Sequence, residues 1–85
     1  MNGRCYRIEY GSVAQSDLDL LRDRIRRQIL RKIERLESGL HGDIKRLRRA
    51  DAAYRLRMGD YRILFDVEGD VIVIRRIGDR KRIYD

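Results

Sequence analysis

Eighty-five residues make one small domain, which buries only about 60% of the surface its unfolded chain exposes, and the single cysteine, Cys5, leaves no internal disulfide to help it. One cysteine and one histidine cannot close a zinc site, and no run of 18 apolar residues is present to span a membrane. The start, MNGRCYRIEY, lacks the apolar core of a signal peptide, so a soluble, intracellular (cytoplasmic) protein is expected. The net charge is +7, with 9 basic and 7 acidic residues up to Asp43 and 12 and 7 from Ile44 onward. Most of that excess is arginine, whose planar fork matches phosphate oxygens, and a polyanion is the natural partner.

Cys5 to Tyr10 alternates Tyr6, Ile8 and Tyr10 against Arg7 and Glu9 and reads as a first strand, with Cys5 expected as a buried or half-buried inert thiol. Gly11 ends it, and Ser12 can cap a short helix carrying Val13, Leu18, Leu20 and Leu21. From Asp23 to Leu36, Ile25, Ile29, Ile33 and Leu36 recur at spacings of four, four and three, one apolar stripe on a longer helix that Ser38-Gly39 stops. Arg27, Arg31 and Arg35 line its opposite face, either as a solvated surface or as a secondary contact with an anionic partner. Leu40 to Asp51 reads as a loop or short turn that packs Ile44 and Leu47, presents Lys45, Arg46, Arg48 and Arg49 beside the sheet, and holds His41.

The stretch from Tyr54 onward is a meander. Tyr54, Leu56 and Met58, then Tyr61, Ile63, Phe65 and Val67, recur with a period of two, and Gly59-Asp60, Gly69-Asp70 and Gly78-Asp79 punctuate the runs. The order is α+β: an N-terminal strand, a two-helix hairpin, then a mostly antiparallel sheet of three to four strands, with helices on one face. If Tyr54, Leu56, Ile63 and Phe65 face the helices, the pleat turns Arg55, Arg57 and Arg62 to the other face. Arg80, Lys81, Arg82 and Tyr84 follow the last turn and reach the same edge if the tail returns to the sheet. A concave basic face with an accessible phenol suits an RNA backbone and a base or ribose.

These residues carry a resemblance. YRLRMGDYRILFDV, a hairpin, and then RRIGDRKRIYD resemble the C-terminal half of the RelE branch of the RelE/ParE toxin superfamily, and the upstream strand and paired helices match that layout over nearly the whole chain. The resemblance implies the RelE-like fold and a toxin of a type II toxin-antitoxin system: a ribosome-dependent mRNA endonuclease that cuts codons in the 30S decoding site and is silenced by a cognate acidic antitoxin. It implies no cofactor, metal or membrane, and contact with operator DNA only through the antitoxin. The family's positions fall on Arg55, Arg57, Arg62, Arg80 and Tyr84. Arg62, Arg80 and Tyr84 are then the catalytic candidates, and Arg55, Arg57, Lys45 and Lys81 the RNA-binding ones. Arg55 and Arg57 are lysines in the best-known member, and arginine, with a pKa above about 12, cannot easily serve as a base.

Bland alternatives stand beside these roles. Tyr84 can seal a sheet edge, Arg62 can pair with Asp66, Glu68 or Asp51 across strands, and Asp60 and Asp79 read as turn formers. The competing function is that of a ParE-like inhibitor of DNA gyrase without catalysis, or, more weakly, of a nucleic-acid-binding module.

Overall fold

The computed structural model of the chain describes residues 5–49 and 51–83. Strand β1 (Arg7–Tyr10) leads into helix α1 (Ser12–Asp19) and helix α2 (Asp23–Glu34), which tightens into a 3-10 turn over Arg35–Ser38. Strands β2 (Asp43–Arg46), β3 (Tyr54–Met58), β4 (Tyr61–Glu68) and β5 (Val71–Asp79) follow. They form a five-stranded sheet in the order β1-β5-β4-β3-β2. All neighbours are antiparallel except β1 and β5, which run parallel from Arg7 opposite Val71 to Tyr10 opposite Ile74.

The helical stripe does what its spacing predicts. Ile29, Ile33 and Leu36 are fully buried, Ile25 and Leu30 are half-buried, and all join a core with Leu56, Ile63, Phe65, Ile72, Ile74 and Ile77 on one sheet face. Gly39 ends this helical stretch at φ 146°, a region open to glycine. The two meander hairpins turn on Gly59-Asp60 and Gly69-Asp70. Each glycine has positive φ and each aspartate negative φ, the sign pattern of a type II′ turn, whose twist suits adjacent strands.

Several expectations change. The stretch after Gly42 is not all loop: Asp43–Arg46 pairs antiparallel with β3 and makes a fifth, edge strand. Its four residues carry one apolar side chain, Ile44, too few to show a period. Ser12 does not cap α1. Gly11 takes the N-cap position without a side-chain bond, its carbonyl accepting from Gln15 N–H and its own N–H donating to Ile74 O. Cys5 is exposed, because it precedes the paired part of β1. Gly78-Asp79 is the end of β5 rather than a turn, and the chain turns after it.

Asp17, on α1, is a buried carboxylate at the edge of β5. β1 pairs β5 only as far as Ile74, so the edge amide of Ile77 needs another acceptor. Asp17 Oδ2 accepts it at 2.8 Å and accepts Arg76 Nε at 3.0 Å. Nearby, Arg75 bulges out between the pairs Leu64–Arg76 and Phe65–Ile74, and its guanidinium reaches Asp66 and Glu68.

Candidate nucleic-acid interface

Strand register places the predicted arginines. Cross-strand partners share a face, so one row across the sheet face away from the helices reads Asp43, Arg57, Arg62, Gly78. The next row reads Lys45, Arg55, Leu64, Arg76. Arg55, Arg57, Arg62 and Lys45 thus come together, as the pleat requires.

They do not stand equally in solvent. The Arg57 side chain is 53% exposed, whereas Arg55 and Arg62 are buried at 9% and 5%. Arg62 Nη1 donates to the carbonyls of Gly59 and Tyr61 at 2.9 and 3.1 Å, bracing the β3–β4 turn. Its expected alternative partners are taken elsewhere: Asp66 and Glu68 hold Arg75, and Asp51 holds Arg49. That Arg49 bond, above all, lowers the Asp51 pKa. Arg55 and Arg57 converge on one carboxylate, Asp43, with Arg55 Nη2 at 3.3 Å and Arg57 Nε at 3.1 Å.

The tail does return to this face. Arg80 N–H donates to Asp60 O at 2.8 Å, so Arg80 is anchored on the same turn that Arg62 braces. Its side chain stays 57% exposed, with Nε 3.9 Å from Asp60. Ile83 is buried in a second, small core with Ala52 and Leu64, against which Leu47 packs. It lies over Gly78, where an added Cβ would come within 2.9 Å of Ile83 Cδ1. Asp79 accepts Lys81 N–H at 2.7 Å, a turn-forming role as expected. Lys81 and Lys45 are exposed. Tyr84 lies outside the described residues, and so does its relation to the arginines.

Two features escaped the sequence reading. Asp43 has no signal in the sequence beyond its place before a basic stretch, because the four residues of β2 are too few and too polar to show a period. The plug of Leu64 and Ile83 had a signal: Leu64 is an apolar residue at an outward position of the alternation, and Ile83 an apolar residue in a charged tail. Among the described residues no group of three His, Cys, Asp or Glu side chains could hold a metal ion. None of the described helices is long and apolar enough to cross a membrane. The helix side carries other features. His41 Nε2 lies 3.2 Å from Ser38 Oγ in an exposed loop. Two open grooves flank α2, one beside Arg31, Glu34 and Arg35 and the other between Ile25, Met58 and Tyr61.

Comparison with known proteins places this geometry. Residues 8–84 match the family described as the ParE toxin of type II toxin-antitoxin systems, parDE. The chain is 34% identical over 84 residues to toxin RelE3 of Methanocaldococcus jannaschii, covering 93% of this chain and 96% of that one. Among solved structures it resembles the RelBE2 toxin-antitoxin complex of Mycobacterium tuberculosis, with 26% identity, TM-score 0.78 and coverage of 91% and 93%. It also resembles the RelB-RelE antitoxin-toxin complex of Methanococcus jannaschii, with 34% identity, TM-score 0.73 and coverage of 91% and 95%. A free Escherichia coli RelE mutant shares the fold at 16% identity and TM-score 0.74, over 93% of this chain and 87% of that one.

Proposed function

The chain belongs to the ParE toxin family of the RelE/ParE superfamily, the toxins of type II toxin-antitoxin systems, and on that premise we propose that it is a ribosome-dependent mRNA endonuclease. The observation that supports this reading is the row Arg57–Arg62 with the Arg80 tail pinned to the turn beside it. A scissile phosphate bound there meets two exposed guanidiniums, Arg57 and Arg80, backed by the buried charge of Arg62.

In this mechanism the ribose 2′-oxygen bonds to the adjacent phosphorus as the bond to the 5′-oxygen breaks, leaving a 2′,3′-cyclic phosphate and a 5′-hydroxyl. The 2′-hydroxyl proton leaves to a base, and the departing 5′-oxygen takes up a proton. Arg80 donates to the phosphate oxygens as charge grows on them, and Arg62 adds its field from behind. Preorganised donors of this kind are worth about 3–4 kcal/mol each. Arg55 and Arg57 hold the backbone, Lys45 and Lys81 extend the basic surface, and Tyr84 orients the scissile nucleotide or moves a proton. Arginine is ill suited to act as a general base, so these side chains bind and stabilise charge. The site sits in the cytoplasm, with the ribosome supplying the rest of the mRNA's contacts.

Two of the structural relatives are toxin-antitoxin complexes, and a cognate acidic antitoxin is the proposed partner here. The exposed Val13 and Leu20, and the groove at Ile25, Met58 and Tyr61 beside basic α2, suit an acidic amphipathic segment that folds on binding.

Mapping mRNA 5′ ends after brief expression tests the reading. Cuts within reading frames at the second or third codon position are expected, and they vanish in the Arg80→Ala, Tyr84→Phe double variant while the fold persists. The match to the ParE description favours one second reading, gyrase inhibition without catalysis. Loss of supercoiling activity with intact mRNA would select it.

A further inference from the structure

We infer that Asp43 is a built-in counter-ion standing where an RNA phosphate would sit between Arg55 and Arg57, and that it sets how weakly the chain holds RNA outside its proper context; the inference rests on the reading of those two arginines as backbone-gripping residues. Along the two register rows of the open face, Lys45, Arg55, Arg57, Arg62 and Arg76 supply the cations, and Asp43 is the one anion there among the described residues. Arg57 stands directly opposite Arg62, and like charges so placed repel. Asp43, opposite Arg57 on the other side, offsets that repulsion while also reaching Arg55.

The chemistry of the contact is that of a phosphate. A carboxylate offers two anionic oxygens, and Asp43 uses one for each arginine, Oδ1 to Arg55 and Oδ2 to Arg57. A bridging phosphate offers the same pair of oxygens to the same guanidiniums. Asp43 lies on edge strand β2, with its side chain half exposed, so its side chain can swing into solvent without disturbing the sheet. The Asp43–Arg57 pair is exposed and weak and the Asp43–Arg55 contact is long at 3.3 Å, so an RNA strand held by further contacts displaces the carboxylate. A free strand, lacking those contacts, meets a site already neutralised. Specificity of this kind is a difference in affinities, produced by a competitor built into the site.

The experiment measures binding of the purified chain to a short fluorescein-labelled oligouridylate across a potassium chloride series, with thermal melts on every variant. Asp43→Asn is expected to bind about 3- to 10-fold more tightly than the parent, with a log K against log salt slope steeper by roughly 0.7 for each additional phosphate neutralised. Asp43→Ser should behave alike, which guards against an effect peculiar to one side chain. Arg57→Ala should bind less tightly. If Arg57→Ala weakens binding while both Asp43 variants leave it unchanged or weaken it, Asp43 is no counter-ion and the arginine site survives. If no variant, Arg57→Ala included, alters affinity, the site reading itself fails and takes this inference with it.

Discussion

Asp17→Ala tests whether one buried carboxylate holds the distal half of β5. The Ile77 amide sits beyond the last β1–β5 pair, at Ile74, and donates to Asp17 Oδ2 over 2.8 Å. Alanine leaves that buried N–H without an acceptor, at a cost of about 1–3 kcal/mol. The Arg76 bond adds about 0–1 kcal/mol, because the Arg76 side chain is 36% exposed. Alanine's better helix propensity returns up to about 0.7 kcal/mol. The net is about 2 kcal/mol, set against a total of roughly 4–13 kcal/mol for a chain of 85 residues at usual per-residue stabilities. At about 4–8 °C per kcal/mol for a domain of this size, Tm should fall by about 8–16 °C. Asp17→Asn keeps an oxygen for the Ile77 amide, so it should lose only about 1 kcal/mol. Circular-dichroism melts and urea titrations of the three proteins read both numbers. Two variants melting together would refute the assignment: if both are near the parent, the amide finds another acceptor, and if both are far below it, charge rather than the amide dominates.

Gly78→Ala places a Cβ 2.9 Å from Ile83 Cδ1 and 3.3 Å from Cγ1; overpacking of about 1–3 kcal/mol should lift the tail, read as faster proteolysis after Asp79 with the far-ultraviolet spectrum retained. The Tyr10 pKa is raised above 10.0, first by burial and then by Glu34 and Glu37. The folded value exceeds the unfolded one, so this contribution is whole below pH 10.0 and drains away as pH rises through the folded pKa. Tyr10→Phe should therefore flatten the alkaline loss of stability in urea titrations. Arg62→Lys should disturb the Gly59–Tyr61 turn and cut mRNA cleavage at least 10-fold, because the rotatable ammonium lacks the fixed planar geometry that aims Nη1 at both carbonyls and loses the remaining guanidinium donors. Arg57→Lys, at an exposed position, should reduce oligouridylate affinity by less than about 3-fold, measured in the same binding assay.

The sequence disclosed whatever had a period. The α2 stripe, the two Gly-Asp hairpins and the shared face of Arg55, Arg57 and Arg62 all follow from periods of 3.6 or two, and each stands where its spacing put it. What had no local period stayed hidden. β2 offers one apolar residue, Ile44, in four. The parallel pairing of β1 with β5 joins the first strand to the last, a pairing no window of sequence contains. The Arg75 bulge shifts register by one residue in a run that alternates poorly. Exposure was misjudged for a similar reason. Alternation tells which face a side chain takes, but exposure depends on what else lies on that face, and the small apolar cover of Leu64, opposite Arg55, and Ile83, over Gly78, is an occupant of that face that the pattern does not predict.

That cover bears on how the site works. Arg80 is held by two devices, the Arg80–Asp60 backbone bond and the docking of Ile83 on Ala52 and Leu64. Burial of one isoleucine is worth about 1.5–3 kcal/mol, and the hydrogen bond about 1 kcal/mol. Tail docking thus carries about 2.5–4 kcal/mol before the entropy of ordering residues 80–83 is subtracted. What remains after that subtraction is less than the roughly 4–13 kcal/mol of the whole chain, so the tail undocks more often than the sheet opens. Arg62 does not share this freedom, since it donates to two carbonyls of the turn itself. The arginines accordingly divide by anchorage. Arg62 is a fixed, buried source of field, and Arg55, largely buried, and Arg57, exposed, are both tied to Asp43. Arg80 alone rides on an element whose docking is a separate, weaker equilibrium, so its contribution to any chemistry at this face depends on the tail being seated when the phosphate arrives.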